Sequence, residues 1–184
     1  MTVAVMKDDG TFRISGLGFA PGRYLWDVTN LADSIYVKSV RYDAVDVTRS
    51  PIDFQEGGKL EIVLSGKAGG ITGTLHNDKN EPLNGVTVTV WAKNPNPGSP
   101  PSSVKSRSTD QKGNFKIAGL APGDYYIAAW EGEAANSGLI TIPDFLAAFT
   151  SEAATVTLGE SSSSNADVRL ISRAKIAAAT SKLP

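Results

Sequence analysis

The side chains that could carry acid–base, nucleophilic or metal chemistry are few in this chain. His76 is the only histidine, and there is no cysteine. Zinc fingers, disulfide frameworks, thiol catalysis and multi-histidine metal centres are therefore excluded. Because no G-x-S-x-G elbow is present to supply a nucleophile for His76, the sequence predicts that His76 is a surface turn residue.

Acidic side chains gather near turn signals, and paired carboxylates can serve acid–base or glycosidic chemistry. The residues concerned are Asp8 with Asp9, Asp78 with Glu81, Asp110, and Glu131 with Glu133. None is flanked by a residue that indicates a shifted pKa, and residues 78–80 lack the spacing and glycine of a calcium loop. No dinucleotide-binding glycine pattern and no P-loop is present. We therefore expect no catalytic residue, no metal and no cofactor.

Three aromatic residues are the candidate contacts for a ligand or partner. If the alternating valines of residues 86–90 point inward, Trp91 points outward, and if Tyr125 points inward, Tyr126 and Trp130 lie on the opposite face. Exposed Trp and Tyr side chains on a sheet could stack on sugar rings or pack on a neighbouring module. The alternative is that residues 143–149 or the proline-rich loop 95–103 cover them, since large aromatic side chains are usually mostly buried.

The composition is that of a globular chain built from many short strands. Its 184 residues are 41% hydrophobic and 20% charged, with 18 Gly and 10 Pro, which suits strands joined by frequent turns. The net charge of −1 provides no electrostatic footprint for nucleic acid. No apolar run is long enough to span a membrane, and the N-terminus does not have the pattern of a signal peptide.

One phrase occurs twice, and each copy predicts a strand, a tight Pro-Gly turn and a second strand. Residues 113–125 read GNFKIAGLAPGDY, and residues 10–24 read GTFRISGLGFAPGRY, with Gly18 and Phe19 inserted. The structural positions of the two copies are Phe12, Ile14, Pro21, Gly22 and Tyr24, and Phe115, Ile117, Pro122, Gly123 and Tyr125. These residues are expected to build cores and turns, with the tyrosine hydroxyl bonded locally.

The repeat divides the chain into two modules with a tail. We expect a partial β-sandwich over residues 1–66, a complete one over 67–172, and a disordered tail or short helix over 173–184. Residues 65–70 (SGKAGG) are the expected flexible boundary, and residues 143–149 the one helical turn. The first module has no counterpart of residues 71–91, so it lacks about two N-terminal strands. Either the missing strands come from upstream sequence of a longer multi-module protein, or another chain donates them, or the first module forms a smaller sheet that leans on the second.

Four elements together resemble the carboxypeptidase regulatory-like domain. They are residues 71–75 (ITGTL), 81–88 (EPLNGVTV), 109–115 (TDQKGNF) and 119–125 (GLAPGDY). The resemblance covers residues 68–172 and only the latter part of a domain in residues 1–65. It implies an all-β fold of tandem antiparallel Greek-key sandwiches, similar to Cna B-type and transthyretin-like domains. Some Cna B-type relatives carry a Lys–Asn isopeptide bond, but Lys105 and Lys116 are placed outward by alternation and no such bond is predicted.

The resemblance further implies a non-catalytic structural or interaction module of a larger secreted, periplasmic or cell-surface protein or assembly. The expected partners are other modules of the same or a neighbouring chain. One alternative is a homo-oligomer formed by strand addition to the N-terminal module. Another is a carbohydrate- or peptide-binding module that uses Trp91, Tyr126 and Trp130. Neither enzymatic activity, nucleic-acid binding nor membrane insertion is expected.

Overall fold

The computed structural model describes residues 7, 10–12, 20–77, 79–94, 103–132 and 138–183. Several residues singled out from the sequence lie outside the described residues: Asp8, Asp9, Ile14, Asp78, Glu133 and nearly all of the proline-rich loop. The strands are β1 (Gly22–Tyr24), β2 (Tyr36–Tyr42), β3 (Val45–Asp46), β4 (Ile52–Phe54), β5 (Leu60–Ser65), β6 (Gly69–Thr74), β7 (Thr87–Ala92), β8 (Lys105–Ser108), β9 (Asn114–Leu120), β10 (Gly123–Trp130), β11 (Ala154–Leu158), β12 (Ser163–Asn165) and β13 (Leu170–Ile171). The helices are α1 (Pro143–Ala147) and α2 (Arg173–Thr180).

The C-terminal unit is a β-sandwich of two sheets. One sheet has the order β11-β10-β7-β8, with β13 parallel to the end of β10, and the other has the order β12-β6-β9. Alternating residues of the two sheets meet in one core, as the period of two requires. Its largest fully buried members include Ile71, Leu75, Ile117 and Ile127. The all-β sandwich fold expected from the sequence is confirmed here.

A second core lies on the outer face of the β11-β10-β7-β8 sheet. It contains Trp91, Ala128 and Trp130 from the strands, and Phe145 and Ile176 from α1 and α2. The predicted helical turn is therefore α1, whose helix begins at Pro143, where a missing N–H costs nothing. Residues 173–180 form a helix because Ile176 docks on this core, since a helix this short is marginal alone.

The N-terminal unit repeats part of this sandwich. Strand β1 pairs with β4 as Gly22↔Phe54 and Tyr24↔Ile52, and β10 pairs with β11 as Gly123↔Leu158 and Tyr125↔Val156. The tyrosine hydroxyls donate to the carbonyls of Ala20 and Ala121, at 2.8 and 2.7 Å. The second half of the phrase, residues 20–24 and 121–125, is thus a structural repeat, with the same register and the same hydrogen bond in each unit.

A second sheet of the N-terminal unit has the order β3-β2-β5 and lies over a small core. The buried members of that core are Val40, Tyr42, Val47 and Ile52. Leu60 and Ile62 of β5 pack against it but are only half-buried. In the C-terminal unit, the core residues Ala166 and Val168, which follow β12, are both 5% exposed. The N-terminal core is therefore less completely covered than its C-terminal counterpart.

Candidate interaction surface

The aromatic face predicted from alternation exists, and the chain itself covers most of it. Trp91 stacks on Tyr126 at 5.7 Å and lies 6.2 Å from Trp130 between ring centroids. Trp130 in turn contacts Phe145 at 5.5 Å. Trp91 and Trp130 are only 3% and 1% exposed. The structure thus corresponds to the alternative in which residues 143–149 cover the tryptophans, because α1, together with α2, packs on them.

Tyr126 is the one member of the three that keeps partial exposure. The amine of Lys93 lies 5.5 Å from its ring centroid, which is within the range of a cation–π interaction. Tyr126 and Lys93 thus form a small amphipathic patch at the end of β7. Contact of Trp91, Tyr126 or Trp130 with a ligand stays a prediction, and the geometry restricts a direct contact to Tyr126.

The indole N–H of Trp130 is buried and has no hydrogen-bond partner among the described residues. A buried donor without an acceptor loses its hydration without compensation. The surrounding side chains of the second core, including Phe145 and Phe149, are apolar and offer no acceptor. The unpaired indole N–H therefore lowers the stability of the fold, a penalty that a phenylalanine at this position would not have.

Asp110 and Glu131, two of the acidic residues near turns, are engaged in local structural bonds. Asp110 accepts hydrogen bonds from the backbone N–H groups of Lys112 and Asn114, and these bonds hold the pKa of Asp110 below its usual value. Glu131 accepts from the N–H of Arg173 at the start of α2. His76 is exposed. Within the described ranges, no cluster of three or more His, Cys, Asp or Glu side chains could hold a metal ion.

The junction between the two units is tied from both sides. Only residues 66–68 separate β5 from β6. The N–H of Ala68 donates to the carbonyl of Ser34, and the N–H of Ser161 donates to the carbonyl of Lys67. The Lys67 amine also contacts Glu160 at 2.9 Å, a pair that raises the pKa of Lys67 and lowers the pKa of Glu160. The boundary predicted to be flexible is therefore hydrogen-bonded to both units.

Lys105 is the second residue at this junction, and its inward position differs from the prediction. Its amine donates to the carbonyls of Ala118 and Gly119, at 3.3 and 2.7 Å. Partial burial lowers the pKa of Lys105, while the charges of Asp33 and Asp27 in the N-terminal unit oppose this shift. Alternation placed Lys105 outward, but it lies at the sandwich edge where β8 approaches β9, so its long side chain folds back over the neighbouring strand.

Gly119 allows this arrangement. Its φ is +72°, and a Cβ there would lie 2.6 Å from the Lys105 amine and 3.6 Å from the carbonyl oxygen of Ile35. The N-terminal unit thus approaches the repeated phrase of the C-terminal unit at a residue without a side chain. Both copies of the phrase have a glycine six residues after their first glycine, at Gly16 and Gly119, but nothing in that spacing identified the neighbour of Gly119 in space.

Among the described strands of the N-terminal sheet, β5 leaves one edge open along its whole length. Strand β5 pairs with β2, and no other strand of the described chain pairs with it. Its side chains Leu60, Ile62 and Leu64 are half-buried, and Val63 is 39% exposed. Unpaired backbone groups next to partly exposed aliphatic side chains are the features of a strand that can accept another strand.

Comparisons with known proteins match part of the chain. A sequence model described as the carboxypeptidase regulatory-like domain matches residues 70–171. A search of curated proteins found no significant match. None of the described helices is long and apolar enough to cross a membrane.

Several solved structures are similar in part. A Pseudomonas aeruginosa protein proposed to bind carbohydrate is 16% identical, with a TM-score of 0.35 over 58% of this chain and 89% of its own. The major pilin subunit of Bacillus cereus is 14% identical, with a TM-score of 0.36 over 60% of this chain and 33% of its own. A minor pilin of Streptococcus agalactiae is 18% identical, with a TM-score of 0.35 over 79% of this chain and 61% of its own. This chain therefore spans less than two thirds of either pilin.

Proposed function

Since the chain belongs to the carboxypeptidase regulatory-like domain family, we propose that it is a non-catalytic structural and interaction module of a larger secreted or cell-surface protein or assembly. Its task in this proposal is to hold neighbouring modules at a fixed spacing and to present surfaces to them. The domain division proposed is a partial sandwich over residues 1–66, a complete one over 67–172 and a tail over 173–184 that contains α2.

The observation that carries this proposal is the tied junction. A flexible linker leaves two modules free to reorient, whereas this one is bonded to Ser34 on one side and to Ser161 and Glu160 on the other. Lys105 and Gly119 add a second point of approach on the C-terminal unit. Two contacts separated along the junction resist rotation, which suits a spacer better than a pair of independent binding domains.

The chemistry of the described residues supports the non-catalytic part of the proposal. An active site needs a nucleophile, base or electrophile held in mutual geometry. Here each carboxylate has a structural contact: Asp110 in a turn, Glu131 at the start of a helix and Glu160 at the junction. The aromatic face that could have formed a binding cleft is covered by α1 and α2.

Extracytoplasmic location rests on the family resemblance, and labelling of intact cells with an antibody to this chain tests it.

A distance measurement tests the spacer role directly. Because the chain has no cysteine, Val45→Cys in the N-terminal unit and Lys116→Cys in the C-terminal unit give two defined spin-label positions. We expect one narrow distance distribution in pulsed electron paramagnetic resonance. The same two Cys substitutions combined with Gly119→Ala give the perturbed control, whose distance distribution should be broader. A distribution as broad as that of a free linker in the unperturbed chain contradicts the proposal.

Carbohydrate binding remains a second candidate, favoured by one observation. Tyr126 keeps partial exposure beside the Lys93 amine, and an aromatic ring beside a polar donor can receive a sugar. Glycan-array screening followed by a fluorescence titration of any positive sugar tests this candidate. Loss of binding in Tyr126→Ala with retention in Tyr24→Ala would support it, and an array without positives removes it.

A further inference from the structure

We propose that the open edge of β5 pairs antiparallel with β5 of a second copy of this chain, joining two N-terminal sheets across a two-fold axis. The proposal rests on the function proposed above, because it treats the N-terminal unit as an interaction module, and it names the surface, the partner and the register. The resulting sheet has the order β3-β2-β5 followed by β5-β2-β3 of the second copy.

The backbone of β5 fixes which groups are available. The N–H of Asp43 donates to the carbonyl of Lys59, in the register that places Tyr42 opposite Leu60 and Val40 opposite Ile62. In an antiparallel pair, hydrogen-bonded and non-hydrogen-bonded positions alternate. Odd-numbered residues of β5 therefore direct their backbone groups to β2. Leu60, Ile62 and Leu64 direct theirs to the open edge.

The order of side chains in β5 favours its own copy as the partner. The apolar residues Leu60, Ile62 and Leu64 are symmetric about Ile62. When Ile62 lies opposite Ile62 of the second copy, Leu60 lies opposite Leu64 in both halves. This register pairs all the outward backbone groups of the strand and joins two half-buried apolar stripes on one face of the sheet. A two-fold contact requires a self-complementary surface of this kind.

The strand carries little that would prevent such pairing. Protected sheet edges have prolines, bulges, inward charges or very short strands. Strand β5 has six residues without a proline and one charged side chain, Glu61. The opposite edge of the same sheet, β3, has only two residues, Val45 and Asp46. The β5 edge is therefore the acceptor, and β3 provides a built-in control surface.

The proposed register also predicts which side chains meet on the other face. Val63 lies directly opposite Glu61 of the second copy, at a non-hydrogen-bonded position where side chains are closest. Val63→Lys should therefore create two symmetric opposite-charge pairs, and Val63→Glu two like-charge pairs. Two such pairs correspond to a change in the dimer dissociation constant of about two- to thirty-fold in each direction.

Sedimentation equilibrium of the full chain tests this prediction. Over about 1 μM to 1 mM, the range of weak interfaces, we expect a monomer–dimer equilibrium that Val63→Lys strengthens and Val63→Glu weakens. The matched variants Val45→Lys and Val45→Glu on β3 should leave the equilibrium unchanged. A monomer throughout this range overturns the proposal, as does equal weakening by both Val63 variants, which would place Val63 opposite itself.

Cross-linking provides a second measurement of the register. The Cα atoms of Ile62 and its copy would lie about 5.5 Å apart, within the range of about 4.4–6.8 Å that a disulfide can bridge. Mild oxidation of Ile62→Cys should give a covalent dimer, with Val45→Cys as the negative control. Far-ultraviolet circular dichroism confirms that each variant is folded. A dimer formed equally by Val45→Cys, or none by Ile62→Cys, overturns the proposal.

These outcomes are separate from those of the spacer test. A chain that remains monomeric but shows one narrow distance between its two units retains the proposed function and loses the dimer. A chain that dimerises through Val63 and Ile62 but shows a broad distance between its units loses the spacer role and keeps the dimer.

Discussion

Removal of the Phe145 ring tests whether the second core is an integral part of the C-terminal unit. Phe145 is 0% exposed and lies 5.5 Å from the ring of Trp130 and 5.0 Å from the ring of Phe149. Truncation of a buried Phe to Ala costs about 3–5 kcal/mol, and loss of two aromatic contacts places the value toward the upper end of this range. We expect Phe145→Ala to lower the free energy of unfolding by about 4–5 kcal/mol.

Urea denaturation followed by tryptophan fluorescence measures this loss. Trp130 should also shift its emission to longer wavelength in the folded variant, because water reaches its ring through the cavity left by Phe145. Leu25→Ala is the matched control, since Leu25 is 65% exposed and surface changes stay within about 0.5 kcal/mol. A loss below about 1 kcal/mol for Phe145→Ala would show that α1 is a loosely attached cover and refute this reasoning.

Three further predictions address the turn, the junction and the repeat. Because hydrogen bonds hold the pKa of Asp110 below its usual value, its stabilising effect is present at neutral pH and lost as pH falls through that lowered pKa. Urea midpoints from pH 7 to 2 should therefore fall less steeply in Asp110→Asn, and equal slopes would contradict this. Gly119→Ala places a Cβ at φ +72° against the Lys105 amine and should cost about 1–3 kcal/mol in calorimetry, whereas Gly57→Ala, with open space around it, gives the cost of positive φ alone. Burial raises the pKa of Tyr125 to about 12, so stability is complete below pH ~10 and lost as pH rises toward 12; in a spectrophotometric titration Tyr125→Phe should remove the last tyrosine to ionise, and removal of an earlier one would refute the assignment.

The positions within the C-terminal strands could be predicted from the sequence because they follow a period of two. Alternation correctly separated Tyr125, which lies in the sandwich core, from Trp130, which lies on the other face. The two copies of the phrase could also be interpreted from neighbouring residues alone, because each predicts a strand, a Pro-Gly turn and a second strand. Such patterns involve only a few consecutive residues, so they can be interpreted without knowledge of contacts with the rest of the chain.

Contacts between distant segments could not be predicted in this way. Residues 173–180 are Ala-rich and carry no strong amphipathic pattern, so only docking of Ile176 on the second core shows that they form an ordered helix. Residues 65–70 have the composition of a flexible linker, yet backbone bonds to Ser34 and Ser161 tie them. Lys105 alternates outward in sequence but folds over β9. In each case a tertiary contact determines the outcome, and local propensity does not encode it.

The burial of the β10 sheet on both faces has a consequence for how this chain can vary. In β2 the side chains of Lys38 and Arg41 are exposed, so these two positions can accept substitutions at little cost in stability. From Ile127 to Trp130 every residue of β10 is buried. A substitution on either face of that part of the strand changes the packing of a core, the sandwich core on one face and the second core on the other. Related chains should therefore diverge first at the exposed positions of β2 and last in the second half of β10.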